Sequence, residues 1–423
     1  MSTLVQAEIR PATHVTDWVD RALVAALAIT IVLLSGGHLN ESLRIGGDTG
    51  RGANQLLIVP IFAVCALLVL YRARRSFILL SASPLTIALV TVPLLSVLWS
   101  TDPSQTLSRS LALLFAVCAS LFLAERCTPR ELMMLVAIGV GTAALLNMLY
   151  VLLTPGTGLM HDGHAGAWRG LYSQKNGLAR LMVLGTVACF YAAAVSRRHR
   201  RLLALVGSGL CLTLTFLSTS MTAVVALLAV GVAVALVHML RARGPALVVS
   251  TGIVATMVTC LLLLLALYAE ESAALLGRDL TLTGRTVIWT TALSELQDRP
   301  YLGFGYGAFW TGWSGPAAIV WAQSGFDPGD SHNGFLDAAI DLGILGALLF
   351  LVHLSVTVWA AIRWSRLEGA TTWPVAFLAV FVIYNLTESS VLRPTNLLWI
   401  LYLAVSLRLA LDLRRASTPQ LAS

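Results

Sequence analysis

Charged side chains are scarce in this sequence. Asp, Glu, Lys and Arg together make up 12% of its 423 residues, whereas soluble domains carry about 25%. Hydrophobic residues make up 57% of the chain, and the mean hydropathy is +0.81. This composition excludes a soluble globular domain and predicts an all-α, polytopic membrane protein.

Lysine is nearly absent. Lys175 is the single lysine among 28 basic residues, and 21 acidic residues leave a formal net charge of +7. A lone lysine in a chain that otherwise uses arginine indicates either a need for a compact ammonium group or chance. The arginines lie in short clusters between apolar runs, so membrane topology explains them better than nucleic-acid binding does. The six cysteines, most of them inside apolar runs, predict no disulfide framework.

Apolar runs long enough to cross a bilayer, about 20 residues each, occur about twelve times. Arginine-bearing loops follow every second run, which predicts that both termini lie in the cytosol. The first run is interpreted as an anchor rather than a cleaved signal peptide. The longest connection, 269–331, is predicted to be a loop on the side of the membrane opposite the cytosol, between helices nine and ten of one integral membrane domain, 1–423; the family resemblance described below implies that this side is the periplasm. The predicted spans are 19–36, 55–71, 77–98, 107–124, 131–153, 177–195, 202–217, 220–240, 246–268, 333–361, 372–387 and 395–411.

One amphipathic helix is predicted within the long loop, at 284–298. Ile288, Ala292 and Leu296 fall on a single helical stripe there, and Pro300 ends the pattern. The aromatic residues that follow suit either the membrane interface or stacking on sugar rings.

Basic residues gather in the connections predicted to face the outer side. Arginine binds phosphate oxygens through two parallel N–H groups, so such a group suits an anionic ligand such as a pyrophosphate. Each residue taken singly is also explained by snorkelling to the membrane interface. The candidates are Arg169, Lys175, Arg180, Arg285 and Arg393, with Asn176 beside the lysine.

A metal site is not expected. His161, Asp162 and His164 lie close together in the loop before Lys175, but this run contains no i, i+4 pair and has no further ligands nearby. No cofactor is predicted either.

The longest loop ends at His332 and Asn333, where the chain becomes apolar. A histidine at a helix start is often a cap or interface residue, but this one directly follows the largest polar segment. Asp337 and Asp341 are four residues apart and share a helical face. Carboxylates at that depth are expected to face a cavity or a partner such as Arg180 rather than lipid.

Gly343 and Gly346 complete a spaced motif and are expected to permit close helix packing. His332-Asn333, nine residues, then Gly343-x-x-Gly346 resembles the pattern of the O-antigen ligase and Wzy-type polysaccharide polymerase superfamily. Met221 is a departure, because relatives often carry a basic residue there. The similarity extends over 165–395 and includes the runs 168–177, 217–223 and 284–303.

The resemblance implies a GT-C-like membrane glycosyltransferase that acts at the periplasmic face of the inner membrane. Its implied substrate is an oligosaccharide carried on undecaprenyl pyrophosphate, and no metal is required. His332 is implied to be a catalytic base or acceptor-orienting group, and Arg285 a catalytic contact to the pyrophosphate. The implied substrate-binding candidates are Arg169, Lys175, Asn176, Arg180, Asn333 and Arg393.

Three functions compete at this point. The leading hypothesis is a polymerase that extends exopolysaccharide or O-antigen from lipid-linked repeat units, because the runs at 168–176 and 285–310 resemble exopolysaccharide polymerases. The second is a ligase that transfers finished glycan to lipid A core. The third is a secondary transporter, although the commonest twelve-helix transporters have their major loop between helices six and seven. The expected partners are the bilayer, the lipid-linked glycan and a chain-length regulator or export complex, with no nucleic acid.

Overall fold

Helices make up nearly all of the regular structure. The computed structural model describes residues 22–27, 53–161, 164–240, 246–259, 262, 285–367 and 369–417. Within these ranges the sole β-type pairing is an isolated antiparallel bridge between Leu159 and Trp168. The main helices, leaving aside short helical segments at 22–27, Ser96–Leu98 and Pro155–Gly158, are α1 (Ala53–Tyr71), α2 (Ala73–Ala82), α3 (Pro84–Leu95), α4 (Pro103–Arg126), α5 (Pro129–Leu153), α6 (Lys175–Val195), α7 (Arg198–Leu217), α8 (Met221–Met239), α9 (Ala246–Thr259), α10 (Arg285–Leu296), α11 (Ala318–Ser324), α12 (Gly334–Trp364), α13 (Trp373–Thr387) and α14 (Leu397–Ser417).

Capping residues explain where two of the long helices begin. Asp102 accepts a hydrogen bond from the Gln105 backbone N–H at 3.0 Å and starts α4. Thr128 and Glu131 form a reciprocal capping box at the start of α5. A proline occupies the first position of both helices, where its missing N–H costs no helical hydrogen bond.

The prediction of a polytopic membrane protein is confirmed. Among the described residues, six helices are long and apolar enough to cross a bilayer: α4, α5, α6, α7, α8 and α12. The number rises to seven if the bent pair α2 and α3 is one span. The count of twelve stays a prediction, and most of the predicted first span lies outside the described residues.

The predicted single span at 77–98 is wrong in one respect. The structure divides this region into α2 and α3, which meet at an angle of 101°. Pro84 is the first residue of α3, and a proline disfavours helical geometry in the residue before it. Ser83 accordingly has φ −137° and ψ 77°, outside the helical region.

The arginine-rich connections lie at one end of the bundle. Arg130, at the start of α5, donates to the carbonyl of Val195 at the end of α6 at 3.0 Å. Arg408 of α14 donates to the carbonyl of Ala124, near the end of α4, at 3.3 Å. We call this the basic end. The connections 96–102, 155–174, 218–220, 297–333 and 388–396 join the helices at the opposite end.

The predicted amphipathic helix at 284–298 is confirmed as α10. Ile288 and Ala292 are fully buried and Leu296 is nearly so. Ile288 and Ala292 pack in a separate small core with Phe309, Trp310 and other aromatic residues from the segment that follows. These aromatic side chains therefore serve mainly as core, although Trp313 is exposed.

Helix α12 is interrupted at Gly343, where φ is 69° and ψ is −175°. The backbone of 300–305 enters this break: Phe304 N–H donates to the Ile340 carbonyl at 3.0 Å, and Ile344 N–H donates to the Pro300 carbonyl at 2.8 Å. A Cβ on Gly343 would collide with the carbonyl of Tyr301. Gly343 was expected to permit close packing of a neighbouring helix. It does permit a close approach, but the neighbour is the 300–305 loop.

Candidate active site

His332 lies on a strained turn at the end opposite the arginine clusters. Its φ is 53°, a left-handed conformation that residues with a Cβ rarely adopt. The backbone N–H of His332 donates to Asp330 Oδ1 at 2.9 Å. Asn333 Oδ1 then accepts from the Phe335 and Leu336 N–H groups at 3.1 and 3.2 Å, and so caps α12. The turn fixes the imidazole directly in front of a long helix.

Glu388 joins this turn to two other parts of the chain. Its Oε1 accepts from Arg285 Nη2 at 3.2 Å and from Asn176 Nδ2 at 3.5 Å. Its Oε2 lies 3.6 Å from His332 Nδ1. The structure thus brings together His332, Arg285 and Asn176, three residues that the sequence analysis had named as candidates. Glu388 itself was not among them, although it is the single acidic residue in the turn between α13 and α14.

Arg393 forms ion pairs with two carboxylates on either side of the His332 turn. Its Nη2 lies 2.9 Å from Asp337 Oδ2 and 3.6 Å from Asp330 Oδ2. Asp337 Oδ1 also accepts from the Ser331 backbone N–H and from the Trp310 indole. Asp337 thus faces a basic partner rather than lipid, as expected, but that partner is Arg393 and not the suggested Arg180.

An open cleft of about 130 Å³ adjoins Glu388. It lies at the N-terminus of α6, where Gln174 makes no side-chain capping bond and the helix dipole favours negative charge. Arg180 lines the cleft, and no hydrogen bond or ion pair joins it to another residue that the structure describes. The lining residues are Tyr172, Ser173, Gln174, Asn176, Gly177, Arg180 and Glu388.

Arg169 and Lys175 have backbone partners. Arg169 Nε donates to the Thr157 carbonyl at 3.0 Å. Lys175 Nζ lies 3.3 Å from the carbonyl and 3.4 Å from the hydroxyl of Thr219. Neither residue lines the cleft, so their part in substrate binding stays a prediction.

Buried hydroxyl groups without partners gather around Glu388. Buried polar atoms are hydrogen-bonded in the great majority of cases, so such a concentration marks a polar site. No described residue hydrogen-bonds to the hydroxyl groups of Thr286, Tyr384, Thr387, Ser389 and Ser390.

Charge at the site raises the basicity of the imidazole. The Glu388 carboxylate raises the pKa of His332 above its ordinary 6.5, and Asp330 adds to this, while burial and Arg285 act against it. Burial alone would raise the pKa of Glu388, but His332, Arg180 and Arg285 hold it below its ordinary value. The site therefore contains a carboxylate whose pKa is lowered next to a histidine whose pKa is raised.

Comparison with known proteins adds two matches. A family model described as O-antigen ligase matches residues 206–351, a segment that contains Arg285, His332, Gly343 and Gly346. The exopolysaccharide production protein ExoQ of Rhizobium meliloti (strain 1021) is 25% identical over 283 residues, which cover 64% of this chain and 63% of the relative. The chain thus spans less than two thirds of that relative's length. With the motif order and the apolar helices, these matches indicate a multi-pass membrane protein that is similar to the O-antigen ligase and Wzy-like family.

Proposed function

We propose that the protein is a polysaccharide polymerase that transfers a growing glycan from undecaprenyl pyrophosphate to the next lipid-linked repeat unit. The observation that carries this proposal is that Glu388, which lines one cleft with Arg180, also contacts His332 and Arg285. An imidazole can accept a hydroxyl proton, and two guanidinium groups can hold a departing pyrophosphate. The similarity to an exopolysaccharide production protein supports a polymer product.

The transfer is a single displacement at the anomeric carbon. The acceptor hydroxyl oxygen forms a bond to C1 while His332 takes its proton, and the bond between C1 and the pyrophosphate oxygen breaks. The electron pair leaves with the lipid pyrophosphate, whose negative charge Arg285 and Arg180 stabilise. This direct reaction inverts the anomeric configuration and requires no metal.

The site is proposed to face the periplasm of a bacterium, with both termini in the cytosol. Arginine-rich loops stay on the cytosolic side of a membrane. The basic end and the His332 turn lie at opposite ends of the helices, which supports this orientation. A chain-length regulator or an export complex would then meet the product outside the inner membrane.

A ligase is the second candidate, because the matching family model is described as O-antigen ligase. Ligase and polymerase share the lipid-linked donor and differ in the acceptor. A ligase uses lipid A core, whereas a polymerase uses another lipid-linked repeat unit.

Purified protein in nanodiscs, given one synthetic undecaprenyl-pyrophosphate repeat unit, tests the proposal. We expect a ladder of longer glycans from the wild type, unchanged by EDTA, and a loss of about 10²- to 10⁴-fold in His332→Gln, the usual contribution of a general base. Asp298→Asn, at an exposed carboxylate after α10, is the matched control and should keep the wild-type rate. Transfer to added lipid A core without any ladder would replace the polymerase by the ligase, and absence of both products would refute glycan transfer.

A further inference from the structure

The two carboxylate oxygens of Glu388 have different partners. Oε1 accepts from both Arg285 and Asn176. Oε2 has no hydrogen bond to a described residue and lies 3.6 Å from His332 Nδ1. One oxygen is therefore occupied by a cation and an amide, and the other is directed at the imidazole.

Asp330 is the competing partner for the same nitrogen, since its Oδ1 lies 3.5 Å from His332 Nδ1. That oxygen already accepts the backbone N–H of His332 at 2.9 Å. The second oxygen of Asp330 lies 3.6 Å from the Arg393 guanidinium. Both oxygens of Asp330 thus have other partners, whereas Oε2 of Glu388 is free to accept a hydrogen bond from Nδ1–H.

The chain fixes the position of Glu388 independently of His332. Asn385, in the last turns of α13, accepts the backbone N–H groups of Ser390 and Val391 at 2.8 and 3.0 Å. A Cβ on Gly334, two residues after His332, would collide with the Asn385 side-chain oxygen. The glycine that begins α12 therefore seats the histidine turn directly against the turn that carries Glu388.

We propose that Glu388 is the positioning residue of His332. Its Oε2 accepts a hydrogen bond from Nδ1–H, which leaves Nε2 unprotonated as the atom that takes the proton of the acceptor hydroxyl. This inference rests on the proposed function for its catalytic meaning, but the arrangement of protons can be measured without any reaction. The distance of 3.6 Å exceeds a normal hydrogen bond. Bonds of this kind are often long without substrate and tighten in the reactive complex.

The proposed arrangement predicts how protons move during transfer. Nε2 takes the hydroxyl proton as the new glycosidic bond forms, and the resulting imidazolium is stabilised by the Glu388 carboxylate. The pyrophosphate leaves with the bonding electrons, and Nε2 later releases its proton to solvent. Glu388 stays ionised throughout, since Arg285 and Arg180 hold its pKa low together with His332.

The charged groups that face His332 determine its pH response. Glu388 and Asp330 raise its pKa, and Arg285 lowers it. His332 must be neutral to act as a base, so activity should rise with pH through a midpoint above 6.5. Removing the charge of Glu388 should move that midpoint to lower pH.

Glu388→Gln is the informative variant. Arg285 can donate only to the oxygen of the new side-chain amide, so this contact turns the NH2 group of the amide toward Nδ1 of His332. The imidazole should then accept at Nδ1 and carry its proton on Nε2, the wrong tautomer for the reaction. We expect kcat to fall about 10²- to 10⁴-fold, the KM for the donor not to rise, and the remaining activity to have its acidic limb at lower pH. Glu388→Asp keeps the charge and should retain the tautomer and more of the activity.

Solid-state NMR of ¹⁵N-histidine-labelled protein in lipid bilayers reads the tautomer directly, with His332→Gln used to assign the His332 signals. We expect Nδ1–H in the wild type and in Asp298→Asn, and Nε2–H in Glu388→Gln. A wild type with Nε2–H would overturn the proposal even if the variant failed to fold, as would a tautomer that changes in Asp330→Asn but not in Glu388→Gln. A wild type with Nδ1–H and no transferase activity would instead refute the proposed function alone.

Discussion

At the scale of single residues, backbone strain marks the candidate site. The described non-glycine residues with positive φ are Arg198, Thr219, His332 and Leu392. The Thr219 carbonyl accepts a hydrogen bond from Lys175, and His332 adjoins Glu388. Leu392 directly precedes Arg393, and its carbonyl accepts a hydrogen bond from the Tyr306 hydroxyl. Such conformations cost on the order of 1–3 kcal/mol each and persist where the surroundings fix them. Three of the four surround the site, and the fourth, Arg198, lies at the basic end.

Arg180 is expected to contribute more to donor binding than any other cation of the site, because it lines the cleft without an ion-pair partner among the described residues. A hydrogen bond to a charged group is worth about 1.5–3 kcal/mol, so Arg180→Ala should raise the KM for the lipid-linked donor about 10- to 100-fold. Arg169→Ala should have a smaller effect, since its guanidinium already bonds to a carbonyl. Initial-rate kinetics over a range of donor concentrations give both values.

The control for this comparison is Arg201→Ala, which removes the same charge from the basic end of α7, where the side chain is exposed. Its KM should match the wild type. An equal rise in Arg201→Ala and Arg180→Ala would mean that net charge, rather than the cleft, governs donor binding.

At the scale of elements, α12 contains the least predictable feature of the fold. The stripe of Ile288, Ala292 and Leu296 predicted α10, because the spacing of apolar residues within the segment itself shows which face of a helix is buried. The break at Gly343 depends on a loop some forty residues earlier in the chain, so no local pattern specifies it. The motif pointed to His332 and the similar run 284–303 pointed to Arg285, whereas the part played by Glu388 depends on which segments the fold brings together.

Gly343→Ala should disrupt the junction between α12 and the 300–305 loop. Its backbone conformation is accessible essentially to glycine alone, at a cost of about 1–3 kcal/mol for other residues. A Cβ would in addition collide with the Tyr301 carbonyl. We expect a lower apparent Tm in detergent and lost activity, because the same loop leads to the His332 turn.

Gly209→Ala is the matched control. Gly209 lies inside α7, and a Cβ there meets no heavy atom within 4 Å. Alanine in a helix interior is about 0.5–1 kcal/mol more favourable than glycine, so the apparent Tm should stay equal or rise. If both variants had the same Tm, the inserted loop would not be the reason for the glycine at Gly343.

At the scale of the whole molecule, the chain separates its charges by their function. Arginines at the basic end bond to carbonyl groups at the helix termini and to nearby carboxylates, as Arg130 does to Val195 and Arg408 to Ala124 and Asp412. Arginines at the opposite end face carboxylates and a cleft, as Arg285, Arg393 and Arg180 do. Sequence composition predicted the first set through topology, but the pairing of the second set required the fold.

The separation predicts opposite labelling of the two ends by a membrane-impermeant maleimide. Ser314 is exposed in the segment between α10 and α11, and His199 is exposed in the first turn of α7 at the basic end. In cells with a permeabilised outer membrane, Ser314→Cys should be labelled and His199→Cys should not, and both should be labelled after the inner membrane is opened. The wild type supplies the background, which should be low because Cys65, Cys127, Cys189 and Cys211 are buried and Cys118 is half-buried within the apolar helix α4. Labelling of His199→Cys alone in intact spheroplasts would reverse the orientation and place the His332 site in the cytosol, where a periplasmic lipid-linked glycan could not reach it.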